Sequence, residues 1–320
     1  MAIGLDLGYD TVKVIGLTKK GRLWRLVGLA TATVPTDSWS QETLKNGPEI
    51  AKILTATLRG AKPAALTERK LTVALPESAV LTTNLTVPRM PPEQLAQTVP
   101  FEVAQKLSIS PDEFTVDYET TDSVCKPLDE KGGQPTIAQV MIFAVAAKKT
   151  LIQSLVEICG QAHLELAGVD IKPGAIVRSV VPSDDRGPRL VIDLGANSTI
   201  CTVAEGQKLR VLSSVALGTH STQTTRDDLV GFQTKAEPIF DEVVHLTKFY
   251  ENRVCPGAKI QQIILTGGGS NIRGVDELFS RETGLTTVIG NPFKLIDSHH
   301  FPIPAELNHT FADAIGLAIR

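Results

Sequence analysis

Asp6-Leu-Gly-Tyr-Asp-Thr-Val-Lys13 closes one short apolar strand and opens another, and the turn between them decides how the rest of the chain is read. Ile3–Leu7 and Thr11–Leu17 have the composition of buried strands, and Gly8 lets the turn backbone approach a ligand while successive amides face it, as a phosphate requires. One Asp-x-Gly turn is more often only a tight β-turn. Here Asp193-Leu-Gly-Ala-Asn-Ser-Thr199 repeats it, and Ile263-Ile-Leu-Thr-Gly-Gly-Gly-Ser-Asn-Ile-Arg-Gly-Val-Asp-Glu-Leu278 runs a buried strand into three glycines and then a helix. Two facing loops of the first kind can grip a polyphosphate, with Asp6 and Asp193 holding Mg2+ through its water shell. The glycines of the third permit stacking on adenine and ribose, and a helix beginning near Gly274 directs its amide dipole at the ligand. The expected nucleotide contacts are therefore Asp6, Gly8, Asp10, Thr11 and Lys13; Asp193, Gly195, Ala196, Asn197 and Ser198; and Gly267, Gly268, Gly269, Ser270 and Arg273.

Outward from the first turn, Leu23–Thr33 adds a third strand, and the three strands Leu190–Leu194, Ser198–Ala204 and Leu209–Ser214 repeat that meander. An internal duplication is expected. Residues 1–70, completed by 163–185 and 305–320, form the first lobe; 186–304 form the second, with a reduced lid at 217–256; and 71–162 are inserted. Between Leu217 and Pro256 we read a polar loop and essentially one helix, striped by Ile239, Val243 and Tyr250. In the insert, Leu81, Thr83, Leu85 and Val87 alternate as in a half-buried strand, and Leu95, Val99 and Val103 stripe a helix that Pro100 should kink or split. Ser123–Gln134 reads as a polar hairpin tip.

Composition narrows the function classes. With 320 residues, 42% hydrophobic and 21% charged, the chain can bury two cores, and a net charge of −3 gives no general attraction to nucleic acid or anionic lipid. Cys125, Cys159, Cys201 and Cys255 have no metal-finger spacing and are expected to be free thiols of a reducing cytoplasm. Asp6 and Asp10 interrupt any apolar leader, and the longest wholly apolar run, Val140–Ala147, is too short to span a bilayer, so neither export nor direct membrane insertion is expected.

The three loops resemble the phosphate-1, phosphate-2 and adenosine motifs of the actin, heat-shock ATPase and FtsA superfamily. Leu71-Thr-Val-Ala-Leu-Pro-Glu-Ser-Ala-Val80, Phe101-Glu-Val-Ala-Gln105, Ile109-Ser-Pro-Asp-Glu-Phe-Thr-Val-Asp-Tyr118, Asn291-Pro-Phe293 and Phe311-Ala-Asp-Ala-Ile-Gly-Leu-Ala-Ile-Arg320 are similar, more narrowly, to the PilM family of type IV pilus assembly proteins. The resemblance implies an α/β, actin-like (ribonuclease H-like) duplicated two-lobe fold with an inserted SHS2-type α+β subdomain. It further implies an ATP-binding cytoplasmic scaffold, peripheral at the inner membrane, that binds the cytoplasmic tail of a PilN-like protein in a groove beside the insert. We place that groove beside the Leu95, Val99, Val103 helix, with pilus motor ATPases as further partners. The alternatives are an FtsA-like cell-division scaffold, disfavoured by a chain ending without FtsA's amphipathic tail, and an actin-fold small-molecule kinase, for which no catalytic residue can be assigned.

Two side chains depart from the superfamily pattern. Asp10 sets a second carboxylate beside a triphosphate and repels it unless it turns away or helps to hold metal; equally, it can cap its own turn. In Ile171-Lys-Pro-Gly-Ala175, Lys172 stands where superfamily ATPases place the carboxylate that orients the attacking water. A protonated lysine cannot be that base; it can pair with phosphate charge, favouring binding without turnover, or be a solvated residue on a shifted loop. His299 and His300 read as an exposed loop, and Trp24 and Trp39 as packing at the first sheet.

Overall fold

The computed structural model describes residues 1–21, 23–35, 38–39, 43–121, 139–222, 225–304 and 307–320. In chain order the first elements are β1 (Ala2–Leu7), β2 (Thr11–Lys20), β3 (Leu23–Thr33), α1 (Gly47–Gly60), β4 (Lys62–Pro63) and β5 (Lys70–Leu75). Next come β6 (Val80–Pro88), α2 (Pro92–Leu107), β7 (Phe114–Thr121), β8 (Gln139–Lys148), α3 (Lys149–Gln161), β9 (Glu165–Ile171) and α4 (Lys172–Val180). The rest comprises β10 (Pro188–Leu194), β11 (Thr199–Glu205), β12 (Lys208–Val215), α5 (Thr219–Thr222), α6 (Leu229–Lys235), α7 (Glu237–Phe249), β13 (Gln262–Thr266), α8 (Val275–Thr283), β14 (Thr287–Ile289), β15 (Ile296–Asp297) and α9 (Ala312–Ala318).

The duplication is explicit in the sheets. One runs β15-β3-β2-β1-β5-β9, with β4 beside β3; the other runs β12-β11-β10-β13-β14. Each sets an antiparallel meander against a parallel neighbour, β1 on β5 and β10 on β13, and Asp6 and Asp193 occupy the matching register. Strands buried on both faces need near-continuous apolar runs, and β1, β10 and β11 supply them.

A third sheet, β6-β8-β7, forms the inserted layer. Its β8 alternates Val140, Ile142, Ala144 and Ala146 toward α2, where Leu95, Val99 and Val103 lie buried, with Phe143, Val145 and Ala147 toward the opposite face. Helix α2 runs unbroken through Pro100 rather than splitting there; packing of its buried face offsets the missing amide donor. Although the sequence reading begins the insert at residue 71, β5 lies between β1 and β9 in the first sheet, and α3 shares the hydrophobic core of α1. The separate layer is accordingly 80–148. A strand flanked by parallel partners from distant segments carries no local mark of which sheet it joins.

Between Leu217 and Pro256 the described residues hold α5 and α6 beside the one expected helix, α7. Asp228 caps α6, its side chain accepting from the Gly231 amide, and Phe232 is buried against Phe279 of α8. One buried side chain per two turns leaves no apolar stripe to read. Helix α9 is buried along its whole length between β1 and α4, at a separation that requires glycine: a Cβ at Gly4 would overlap the Ala314 carbonyl, and one at Gly316 the Ala175 carbonyl.

Cys159 and Cys201 are free and buried, and burial pushes their thiols up to about 11 and about 12, with the Glu242 charge adding to the second. Cys255 is disulfide-bonded, which corrects the free-thiol expectation for that residue. Cys125 and the Ser123–Gln134 tip lie outside the described residues. Among the described residues no helix is long and apolar enough to cross a membrane.

Candidate functional site

The first two turns face each other across a cleft of about 360 Å3. Both are closed by the same bond: the Gly8 amide donates to Thr11 O at 2.9 Å and the Gly195 amide to Ser198 O at 3.0 Å. A Cβ would lie 2.7 Å from Ser198 O at Gly195, where it does not fit, and 3.0 Å from Thr11 O at Gly8, where it crowds the turn. Gly267, at φ +82°, closes the floor, and a Cβ there would run into the Asp193 carboxylate. Amides of α5 back the second turn, Thr219 donating to Gly195 O at 3.0 Å and His220 to Ala196 O at 2.8 Å.

Five ionisable side chains meet on the cleft floor. Asp6 is in register with Lys13 on the neighbouring strand, and the Lys13 ammonium donates to Asp6 Oδ2 at 2.7 Å. Asp313 of α9 brings a third carboxylate, with Oδ2 at 3.8 Å from Lys13 Nζ. Lys172, the first residue of α4, sets its Nζ 3.5 Å from Asp193 Oδ2 and 3.4 Å from Asp313 Oδ2. All three carboxylates are buried.

Their protonation follows from these neighbours. Burial pushes Asp6 upward, but Lys13 and Lys172 outweigh it and hold the carboxyl well below the usual carboxylate range. Asp313 moves the other way: burial, with the Asp6 charge added, pushes it up to about 7 against the pull of both lysines. Burial works against the charge on Lys172, yet Asp193, Asp6 and Asp313 hold that ammonium well above its ordinary value. Lys13 is likewise held high by Asp313 and Asp6 against its burial.

Most of the expected residues therefore line one cavity, with three exceptions. Gly269 packs against Leu194, where a Cβ would lie 2.7 Å from the Leu194 Cβ. Ser270 Oγ donates to Gly267 O at 2.7 Å, and Arg273 reaches Asp227 at 2.9 Å. Ser270 and Arg273 line an adjoining concavity that meets the cleft at His309. His309 Nδ1 donates to Gly290 O at 2.9 Å, and burial lowers the imidazole below its ordinary value, keeping it neutral. Asp10 Oδ2 accepts from Asn197 Nδ2 at 3.4 Å, joining the two turns across the cleft mouth.

Sequence reasoning missed three contributors. Asp313 sits in a run of apolar and small residues read only as a chain ending, and nothing local links it to residues 6 or 172. Trp39 does more than pack, for its Nε1 donates to Gly8 O at 3.0 Å and its ring lies 6.0 Å from that of Tyr9. The Tyr9 hydroxyl in turn bonds Ser78, tying the first turn to the segment that leads into the insert.

The expected Mg2+ site does not fit this arrangement. Asp6 and Asp193 each already face an ammonium, at 2.7 and 3.5 Å, so a divalent ion would have to displace Lys13 and Lys172 or sit beside them, where each repels it.

A larger concavity, about 490 Å3, lies on the opposite face of the inserted sheet from α2. Phe143, Val145 and Ala147 form one wall, with Val169, Ile171 and Leu209 facing them; Asp117, Glu119, Arg178 and Arg320 bring charge to it. The inserted sheet separates this concavity from the Leu95, Val99, Val103 helix.

A family model described as Type IV pilus assembly protein PilM matches residues 4–226 and 221–320. Among solved structures, one described as the PilM-PilN type IV pilus biogenesis complex superposes with a TM-score of 0.81 at 21% identity, covering 100% of this chain and 98% of that one. Ethanolamine utilization protein EutJ from Carboxydothermus hydrogenoformans gives 0.53 at 13% identity, covering 99% and 89%. MreB 5 of Spiroplasma citri bound to AMPPNP gives 0.51 at 12% identity, covering 99% and 94%. No curated protein matches the sequence. The fold is the duplicated two-lobe fold of these actin-like proteins.

Proposed function

The chain belongs to the PilM family of type IV pilus assembly proteins, and from that premise we propose that it is a cytoplasmic scaffold of pilus assembly, held at the inner membrane through a partner. The partner is the N-terminal cytoplasmic tail of a PilN-like protein. Family membership over the whole chain carries this reading, and the description of the similar complex supports it by naming a PilN chain. We assign the tail to the groove between Phe143, Val145 and Ala147 on one side and Ile171 and Leu209 on the other. An extended peptide there finds apolar walls for alternate side chains and, at Asp117, Glu119, Arg178 and Arg320, charges that set its register.

The cleft binds a nucleotide, ATP by the chemistry of its turns, with polyphosphate against Gly8 and Gly195 and the base toward Ser270 and Arg273. Hydrolysis is weak or absent, because Lys172 stands where a water-orienting carboxylate is needed.

A synthetic N-terminal tail of the PilN-like protein from the same organism tests the scaffold reading. Capture of the full chain at low salt, weakened about tenfold or more by Val145→Arg with an unchanged unfolding midpoint, is the expected result. No association at low salt overturns the partner assignment; undiminished capture by the variant overturns the groove.

A further inference from the structure

We propose that the Lys172 ammonium stands in the place of the divalent cation, so that this cleft takes its polyphosphate free of metal. The inference rests on the nucleotide reading above and deepens it. Lys172 is the first residue of α4, where the positive end of the helix dipole disfavours a cation and where the first turn carries no acidic residue to offset it. It is held there from other elements: Asp193 at the end of β10 and Asp313 on α9, at 3.5 and 3.4 Å. The ammonium therefore spans the carboxylate that would otherwise share a metal and the one that reaches in from the C-terminal helix.

Lys13 completes the substitution. Its ammonium donates to Asp6 at 2.7 Å, so both of the carboxylates that face each other across the cleft carry a fixed positive partner. Together the two lysines place the charge of one divalent ion beside the Gly8 and Gly195 turns, and each side chain keeps about a fifth of its surface open to the cleft, 18% and 22%. A phosphate oxygen can reach these donors directly, with no metal hydration shell to accommodate. Such a site prefers ATP alone to its Mg2+ complex, because the bound metal would arrive beside an ammonium.

The test measures ATP binding to the full chain by calorimetry in EDTA and in excess Mg2+, and Mn2+ binding by electron paramagnetic resonance without nucleotide. Wild type is expected to bind ATP as tightly or more tightly in EDTA and to hold no Mn2+. Lys172→Ala is expected to gain one Mn2+ site, and Lys172→Glu to bind ATP at least about tenfold more tightly with Mg2+ than without. ATP binding by wild type that weakens about tenfold in EDTA overturns the proposal, as does a Mn2+ site already present in wild type or one not gained by Lys172→Ala. If wild type binds no ATP in either condition while Lys172→Ala gains the Mn2+ site, the nucleotide reading falls and the ammonium's place in the metal position stands.

Discussion

The two halves of the cleft repeat one backbone and neutralise it by different means. In the first half, Asp6 ends β1 and its register partner on β2 is Lys13, so the acid and its cation lie within one eight-residue motif. In the second, Asp193 ends β10 in the same way, but its register partner is Ile200, and the cation comes from Lys172 on α4. A duplicated turn fixes where its carboxylate sits. It does not fix what balances that carboxylate, and the balancing charge decides whether a metal is tolerated.

The largest expected effect comes from breaking the helix crossing that brings the second half's charges together. Gly316→Val would drive a side chain into the Ala175 backbone, which cannot move without shifting α4 and, with it, Lys172. A stability loss of about 3 kcal/mol or more is expected in urea unfolding, toward the upper end for overpacking because the obstructing atom is backbone. A folded variant of wild-type stability would show that α4 and α9 are not held at this distance.

How much was legible in advance follows the same division. The Asp-x-Gly turns, both meanders and the placement of Lys13 near a phosphate could be read because each is written within about ten consecutive residues. Lys172 could be flagged as a departure, but its partners could not, since Asp193 and Asp313 reach it only through the crossing of β10, α4 and α9. Trp39 can be read as packing but not as a donor to Gly8 O, because β2 and β3 separate the two residues in sequence, and α6 is not legible because it buries a single aromatic ring. Strand β5 carries no local sign of its parallel partners β1 and β9, so sequence alone does not separate it from the insert.

Removing each lysine in turn tests the comparison directly. Lys13→Ala strips a short hydrogen bond from buried Asp6 and is expected to cost about 3 kcal/mol. Lys172→Ala removes only the longer contacts of 3.5 and 3.4 Å, which lie beyond ordinary hydrogen-bond length, and should cost about 1–2 kcal/mol by the same measurement. A reversed order would mean that the second half depends on its cation more than the first. Ile200→Lys in the Lys172→Ala background then supplies the second half with its lysine from the first half's register position. Since Ile200 already lines the cleft, recovery of about 1 kcal/mol is expected; no recovery would show that register alone does not make the two halves interchangeable.

The smallest expected effect belongs to a side-chain bond that joins the turns. Asn197 Nδ2 and Asp10 Oδ2 are 3.4 Å apart and solvent-exposed, so the bond is long and competes with water. Asn197→Ala is expected to change stability by no more than about 0.5 kcal/mol, because losing an exposed polar contact leaves both groups hydrated. The same substitution leaves Asp10 unpaired at the mouth of a cleft proposed to receive polyphosphate, and a freed carboxylate there repels the ligand more strongly. ATP binding should therefore weaken, by about two- to fivefold, while the unfolding midpoint stays put, and Asp10→Asn should reverse the loss. A midpoint that falls by several degrees would instead make the Asp10–Asn197 pair a structural tie between the halves, and the turns would then be coupled at the rim as well as through the charges on the floor.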